Sequence, residues 1–292
     1  MKPTAVILAV MSIALCAAAQ YSGKPAQQTP PAAGQAAPVQ GAAPLPKRPP
    51  QAKTQPEFDA WKVAAANTDP AAFEKAADDF ATKFPDSELR VLLYKSVMRL
   101  YQNVNNGEKA EAMGRKVISF DGDDPEALVI VAEVIAEKTR DTDLDKDQRY
   151  DEATKMAQKA TSTVDTDVTV PAGTPQDKVD AYKSLLRSNA YSIVGTIAYK
   201  KENYPVAQEN LQKSIDAFPA QPDPVVVLRL ALSLDKQQKY PEALKLANRA
   251  IEVAQAQNNA TVVTVAQRER DRLQQLTGGA PPAQPASQPP KN

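Results

Sequence analysis

The 292-residue sequence predicts an all-α protein built from repeated pairs of helices. A tyrosine is followed three residues later by an alanine at Tyr150, Tyr204 and Tyr240, and small or apolar residues then continue at helical spacing. The last two copies are 36 residues apart, a period typical of helical repeat arrays. No convincing alternation of apolar residues predicts a strand outside one short loop near Val164. The pattern therefore predicts an α-solenoid, in which each pair buries its apolar face against its neighbours.

The first 20 residues have the pattern of a secretory signal peptide. Lys2 supplies a positive charge, residues 5–15 form an apolar run, and residues 17–19 (Ala-Ala-Ala) provide a cleavage site. The apolar stretch of about 15 residues is shorter than the roughly 20 needed to span a bilayer. An uncleaved anchor stays open as an alternative, and so does a lipoprotein through Cys16, although a lipid-modified cysteine usually follows a small residue. The prediction is an exported protein, periplasmic or secreted, with no membrane span after cleavage.

Proline-rich segments flank one predicted folded region. Residues 21–56 contain nine prolines and lack apolar periodicity, so they predict a disordered linker. Residues 277–292 repeat this composition and predict a disordered tail. The remaining residues, 57–276, are numerous enough to bury a core and predict a single helical repeat domain.

Composition excludes several kinds of chemistry. The chain has no histidine, and after removal of the signal peptide it has no cysteine. Disulfides, Cys–His nucleophiles, Ser-His-Asp triads and zinc sites with nitrogen or sulfur ligands are therefore ruled out. All 35 acidic residues lie between Glu57 and Asp271, but six of the 35 basic residues lie outside the folded region, which leaves 29 bases and a net charge of −6 there. Because nucleic-acid binding needs a basic face, no nucleic-acid partner is predicted. The sequence also predicts no enzyme activity, no metal and no cofactor.

Punctuation residues place the helices along the folded region. Three aspartates that precede prolines are suited to cap helix N-termini: Asp69, Asp124 and Asp223. Two Phe-Pro pairs predict helix ends, at Phe84 and Phe218. A final amphipathic helix is predicted near residues 260–276, where it would cap the array.

Residues 188–221 show the repeat most clearly. Large and small apolar residues occupy the first helix, and Pro219 closes the second. Gly195 and Ala207 are small because helix axes that approach within about 8–10 Å leave no room for larger side chains. This pattern resembles the tetratricopeptide repeat (TPR) family, and in particular exported bacterial-type TPR proteins. Compatible frames occur at 91–124, 125–162 and 224–257, with a degenerate first copy at 58–87.

One segment departs from the TPR pattern. About 25 residues, 163–187, separate the second full repeat from the third. They predict either an interruption of the array or a following helix that begins early, near Asp177.

The resemblance implies a non-catalytic protein–protein interaction module, an adaptor or scaffold in the periplasm or cell envelope. In TPR proteins the first helix of each pair lines a concave groove that holds a peptide or protein. Carried over residue by residue, the predicted partner-binding positions are Lys95, Arg99, Asn103, Glu133, Asn189, Thr196, Tyr199, Lys200, Leu228, Leu232 and Lys236. Plain solvated helix faces are the alternative for these positions. A self-assembling structural envelope scaffold is an alternative function, and the oligomeric state stays open.

An aspartate-rich loop offers a second kind of site. Four aspartates alternate between Asp141 and Asp147, and Glu152 stands where a calcium loop needs a bidentate ligand. However, Lys146 occupies the position where such a loop needs a glycine. A solvated connector is the favoured interpretation, and a calcium-dependent module or an enzyme that uses this loop is the alternative.

Overall fold

The computed structural model describes residues 47–171 and 173–278 of the chain. The predicted signal peptide lies outside these residues, as do most of the predicted linker and tail. Within them the chain forms eleven α-helices and no strand, which confirms the predicted all-α fold. The helices are α1 (Gln55–Ala65), α2 (Pro70–Lys83), α3 (Arg90–Asn103), α4 (Gly107–Phe120), α5 (Pro125–Lys138), α6 (Lys146–Thr163), α7 (Gln176–Lys200), α8 (Tyr204–Ala217), α9 (Pro224–Lys236), α10 (Tyr240–Ala256) and α11 (Ala260–Leu276). None of these helices is both long and apolar enough to cross a bilayer.

The described chain divides into two compact units. Unit 1 comprises the residues up to Val134 together with Ser162–Lys183, and unit 2 comprises Ile135–Thr161 together with the residues from Ser184 onward. Helices α1–α4 lie wholly in unit 1 and α8–α11 wholly in unit 2. The boundaries predicted for the signal peptide, linker and tail stay predictions.

The three predicted aspartate caps are confirmed. The Asp69 carboxylate accepts a hydrogen bond of 2.8 Å from the backbone N–H of Ala72, and Asp124 accepts one of 2.9 Å from Ala127. Asp223 accepts one of 2.8 Å from Val225. Each bond satisfies a backbone donor that the first turn of a helix leaves unpaired, so these residues fix where α2, α5 and α9 begin.

Four hairpin turns share one backbone device. Each contains a residue with φ between 55° and 61°, at Asn105, Glu202, Gln238 and Asn258. The next N–H then bonds to the carbonyl five residues earlier, as from Asn106 to Tyr101 at 2.8 Å. This is the Schellman ending, which stops one helix and lets the next begin immediately. Because so short a connection reverses the chain, consecutive helices are antiparallel neighbours.

Two matching side-chain triads in unit 1 show this antiparallel order directly. Tyr101 on α3 donates to Glu74 on α2 at 2.5 Å, and Lys109 on α4 lies 3.0 Å from the same carboxylate. One turn further along α2, Asp78 accepts from Tyr94 at 2.7 Å and from Lys116 at 2.6 Å. As the residue number rises along α2, it falls along α3 and rises along α4. Helices α2 and α4 are therefore parallel to each other, with α3 antiparallel between them.

Small residues lie at the helix crossings, as the sequence predicted. A Cβ atom at Gly195 on α7 would lie 2.7 Å from Leu211 Cγ and 3.0 Å from the Leu211 backbone nitrogen, both on α8. Ala207 is completely buried in the same hairpin. The helix axes in this hairpin are therefore too close for any larger residue at position 195.

In the segment that departs from the repeat pattern, the second predicted alternative is confirmed, because the following helix begins early. Helix α6 ends at Thr163 and α7 begins at Gln176, one residue before the predicted Asp177. The final helix has the predicted bounds and packs in unit 2 against α9 and α10.

Candidate partner-binding site

The predicted partner-binding residues are divided between the two units. Unit 1 contains Lys95, Arg99, Asn103 and Glu133, and unit 2 contains the other seven. The environments of these residues differ strongly between the units.

Lys95 departs most clearly from the exposure expected of a groove residue. Its side chain is 5% exposed, and its ammonium lies 2.6 Å from Asp124 and 3.2 Å from Glu126. Arg99, one turn further along α3, holds Glu126 through two parallel bonds of 2.5 Å and 2.6 Å. Two cations and two carboxylates therefore neutralise one another inside unit 1. A partner would not meet the Lys95 ammonium.

The electrostatics of this cluster agree with full ionisation. Burial alone would raise the pKa of Glu126, but Arg99 and Lys95 outweigh it and hold that pKa well below its usual range. Burial would likewise lower the pKa of Lys95, but Asp124 and Glu126 raise it overall. Tyr182 lies against the same charges, and burial together with Glu126 raises its pKa well above the ordinary value. No described residue forms a hydrogen bond of good geometry with its hydroxyl.

The other two predicted residues of unit 1 are more accessible. Asn103 is exposed in the last turn of α3, and Glu133 is partly exposed on α5.

Unit 1 also contains an open cleft of about 300 Å³. Its walls include Lys47, Arg48 and Arg90. These cations are already engaged, because Lys47 lies 2.5 Å from Asp121, Arg48 lies 2.6 Å from Glu88, and Arg90 stacks over a phenyl ring at 4.4 Å. These three cations are therefore not free to bind a ligand in the cleft.

Unit 2 brings three of the predicted residues together around a fourth that the sequence analysis missed. The guanidinium of Arg229 on α9 donates to the hydroxyl of Thr196 on α7 at 2.7 Å. Tyr199 and Lys200, one turn further along α7, both interact electrostatically with Arg229. Among the residues that the structure describes, no carboxylate lies within ion-pair distance of Arg229.

Burial dominates the electrostatics of this group. It lowers the pKa of Arg229 below the ordinary value, although Asp223, Tyr199 and Glu137 act in the opposite direction. The pKa of Lys200 is also lowered, first by burial and then by the positive charge of Arg229. The pKa of Glu137 is raised by burial, which the two nearby cations do not fully offset. The charges here are thus incompletely compensated, unlike those around Lys95.

Apolar side chains lie beside Arg229. Tyr199 and Leu232 are partly buried against the same apolar cluster that contains Leu228, which is 7% exposed. The Tyr199 ring meets the Tyr204 ring edge-on, with centroids 5.6 Å apart. We define the unit 2 site as Thr196, Tyr199, Lys200, Arg229 and Leu232, because the predicted residue Leu228, like Lys95, is too buried for a partner to contact.

The two remaining predicted residues of unit 2, Asn189 and Lys236, form no described hydrogen bond or ion pair with the unit 2 site. Asn189 is partly buried near the middle of α7, and Lys236 is exposed at the end of α9. Arg229 itself carried a signal in the sequence, because it is the one charged residue between Val225 and Leu234 in an otherwise apolar run. A charge in such a run must find a partner or keep contact with water.

The aspartate-rich loop does not assemble a metal site in the described chain, where no three acidic side chains converge. Asp143 accepts a hydrogen bond from the backbone N–H of Arg140 at 2.8 Å and lies 3.8 Å from Arg149. Asp147 and Asp151 lie 3.9 Å and 2.9 Å from Lys201. These geometries give the calcium alternative no support.

The hairpins decide the type of fold. Four of them pair two antiparallel helices through a Schellman turn, and small residues lie where helices approach closely, as at Gly195 and Ala207. The fold is of the TPR type. The family resemblance read from the sequence is thereby confirmed at the level of fold.

Comparisons with known proteins give the following likenesses. No protein-family model matches the chain, and no curated protein matches it. Its structure is similar to that of MamA, with 16% identity, a TM-score of 0.47, and coverage of 70% of this chain and 93% of MamA. It is also similar to PilF of Pseudomonas aeruginosa, with 15% identity, a TM-score of 0.46, and coverage of 77% and 96%. A third similar structure is YrrB, described as a TPR protein with an unusual peptide-binding site, with 17% identity, a TM-score of 0.42, and coverage of 68% and 94%.

Proposed function

We propose that this chain is a non-catalytic protein–protein interaction module, an adaptor that holds a segment of another protein at the unit 2 site. The observation that carries the proposal is Arg229, which is largely withdrawn from water, pairs with the Thr196 hydroxyl and has no carboxylate within ion-pair distance in the described chain. Partly exposed apolar side chains, Tyr199 and Leu232, lie beside it. A charged group next to apolar surface is the combination that recognises a peptide with both polar and apolar side chains.

The energetics support a binding role for this arrangement. Withdrawing a guanidinium from water costs free energy unless a carboxylate compensates it. Unit 1 supplies such compensation to Arg99, whereas the described part of unit 2 does not supply it to Arg229. A partner that brings its own carboxylate would recover this cost on binding.

Photo-crosslinking tests the location of the interaction. A photoreactive phenylalanine analogue at Tyr199 or Leu232 is expected to give discrete adducts with another protein from the same cell envelope. Two control positions on the second helices of hairpins, Gln212 on α8 and Lys245 on α10, should give no adducts. Both are exposed, but they lie outside the unit 2 site. Equal adducts from all four positions, or adducts from none, would contradict the proposal.

We further propose that the protein acts in the periplasm or cell envelope. This rests on residues 1–20, whose charge, apolar run and alanine triplet suit a secretory signal peptide. N-terminal sequencing of the protein from its own host is expected to find a mature chain that starts close to residue 20. A chain that retains Met1 and fractionates with the cytosol would contradict this proposal.

A further inference from the structure

Arg229 retains most of its hydrogen-bonding capacity. A guanidinium carries five N–H donors in a fixed planar fork. At Arg229 one of them donates to Thr196 Oγ1 at 2.7 Å, and no other bond to a described residue is formed. The remaining donors suit a carboxylate, which can accept two parallel N–H bonds from the fork.

Lys200 adds a second cation to the same place. Its ammonium donates to the backbone carbonyl of Ala136 at 2.6 Å and stands 5.5 Å from the centre of the Tyr150 ring. Both of these partners are uncharged. Thr196, whose hydroxyl accepts the hydrogen bond from Arg229, lies one turn before Lys200 on α7, so the two cations belong to the same part of unit 2 and both can act on one bound anion.

Three carboxylates of unit 2 act on these cations, and none forms a described ion pair with them. Asp141 acts on Lys200. Asp223 is occupied as the N-cap of α9, where it accepts the backbone N–H of Val225. Glu137, in the last turn of α5, interacts electrostatically with Arg229 and Lys200 without forming a hydrogen bond or ion pair with a described residue. Its negative charge would weaken the binding of a second acid, which makes Glu137 a selectivity element.

Unit 1 shows the arginine–carboxylate pair that Arg229 lacks among the described residues. There the Arg99 fork grips both oxygens of Glu126 at 2.5 Å and 2.6 Å. Arg99 and Arg229 lie on the first helices of their respective hairpins. The difference is that Glu126 provides the acid for Arg99, whereas no described residue provides one for Arg229 at ion-pair distance.

We propose that Arg229, oriented by Thr196 and assisted by Lys200, binds one side-chain carboxylate of the partner segment, a glutamate or an aspartate. An apolar residue next to that acid would rest on Tyr199 and Leu232. This inference rests on the proposed function and goes further, because it names the chemistry of the ligand.

A small-molecule titration tests the receptor directly. The probe is N-acetylglutamic acid α-amide, whose only charge is the side-chain carboxylate, and its neutral twin is N-acetylglutamine amide. The Nε–Hε resonance of Arg229 is expected to shift progressively with the acid and to stay in place with the amide. The resonance of Arg268, an exposed arginine on α11, is the internal control and should not shift with either probe. If the acid leaves Arg229 unmoved, or moves Arg268 equally, the proposal is wrong.

Peptide display tests the same idea in a protein-like ligand. Selection of a random-peptide library on the full chain is expected to return an acidic residue at one fixed position next to an apolar one. Replacing that acid by its amide should weaken binding about tenfold or more, since hydrogen bonds between charged groups are lost. Arg229→Met should abolish the preference for the acid, whereas Arg268→Met should leave it unchanged. Selection that returns no binder, or binders with no fixed acidic position, contradicts the proposal.

Three further variants distinguish a receptor from a structural arginine. Arg229→Lys keeps the charge but loses the fork, so the preference for acid over amide should fall without disappearing. Thr196→Val removes the orienting hydroxyl and should weaken acid binding in the same direction. Glu137→Gln should strengthen it, and Glu209→Gln, an exposed glutamate on α8, should have no effect. Weaker acid binding in Glu137→Gln would overturn the proposal.

Failure of the carboxylate receptor can be distinguished from failure of the interaction module. If crosslinks form at Tyr199 and Leu232 but acid and amide peptides bind equally, the interaction module stands and the carboxylate receptor falls. A phosphopeptide that binds while its carboxylate counterpart does not would also overturn the assignment, because a dianion would face Glu137.

Discussion

Arg99 in unit 1 and Arg229 in unit 2 both lie on the first helix of a hairpin, and both are partly buried. Arg99 forms a two-pronged ion pair with Glu126, which Lys95 also contacts. Arg229 bonds to a threonine hydroxyl and, within the described residues, has no acid at ion-pair distance. The same residue type therefore has different surroundings in the two units. In unit 1 the charge joins helices, and in unit 2 we propose that it binds a partner.

Charged side chains join helices in both units. Unit 1 joins α2, α3 and α4 through triads of an acid, a tyrosine and a lysine, such as Glu74, Tyr101 and Lys109. In unit 2, Arg272 on α11 lies 2.5 Å from Asp235 on α9. The contrast between the units is therefore specific to the two arginines. It teaches that a position on a first helix does not by itself identify a binding residue, since pairing with an internal charge also matters.

The largest expected effect is the loss of the central acid of unit 1. Glu126→Gln should destabilise the protein by about 3 kcal/mol, because it leaves the buried Lys95 with one carboxylate, Asp124, and removes the ion pair of the partly exposed Arg99. The free energy of unfolding can be followed in urea through the fluorescence of Trp61, the single tryptophan, which is buried in unit 1. Glu111→Gln, which breaks an ion pair at the surface of α4, is the control and should cost less than about 0.5 kcal/mol. Equal costs would refute the internal role of the cluster.

A packing change in unit 2 should have the next largest effect. Gly195→Val places carbon atoms against Leu211, including its backbone nitrogen, which a side-chain rotation cannot relieve. Overpacking of this kind typically costs about 1–3 kcal/mol. Thr264→Val, also β-branched but exposed on α11, should be nearly neutral. Hydrogen exchange measured by mass spectrometry is expected to show lost protection in unit 2. Unchanged protection there would mean that the helices are not closely apposed at Gly195.

The pH dependence of stability should have opposite signs in the two units. The folded pKa of Glu126 is lowered, so its contribution is complete above an unfolded pKa of about 4.3 and is lost as the pH falls below it. The folded pKa of Asp223 is raised by burial, so its contribution is largest at low pH and is lost as the pH rises above about 3.9 toward the folded value. Asp223→Asn keeps a good N-cap and should make unit 2 slightly more stable at pH 7. Glu126→Gln should flatten the acid-induced loss in unit 1. Acid titration followed by hydrogen exchange in each unit measures both pH dependences. If stability changes with pH in the same direction in both units, the comparison is contradicted.

Much of the fold could be predicted from the sequence because its signals are local. Asp-Pro pairs set helix starts through bonds that span two or three residues. The last helix has the predicted bounds because its amphipathic spacing is also a local signal. Gly195 and Ala207 could be recognised because only small residues fit a close crossing.

The site was predicted less completely because its chemistry depends on distant pairs. Lys95 has the spacing of a groove residue, but its partners Asp124 and Glu126 lie 29 and 31 residues away and meet it only after folding. Thr196, Tyr199 and Lys200 were placed together because they share one turn of a helix. Arg229, 33 residues from Thr196, was missed, although an isolated charge in an apolar run was a visible signal.

The most direct test of the account is the stability of Arg99→Met beside that of Arg229→Met. Both replace a guanidinium by an apolar chain of similar length. Arg99→Met should lose at least about 1 kcal/mol because Glu126 stays buried with Lys95 as its remaining cation, whereas Arg229→Met should be neutral or slightly stabilising. Urea unfolding of the two variants, with hydrogen exchange to assign each change to its unit, gives the answer. If Arg229→Met destabilises unit 2 as much as Arg99→Met destabilises unit 1, Arg229 is a structural residue and the binding role assigned to it is wrong.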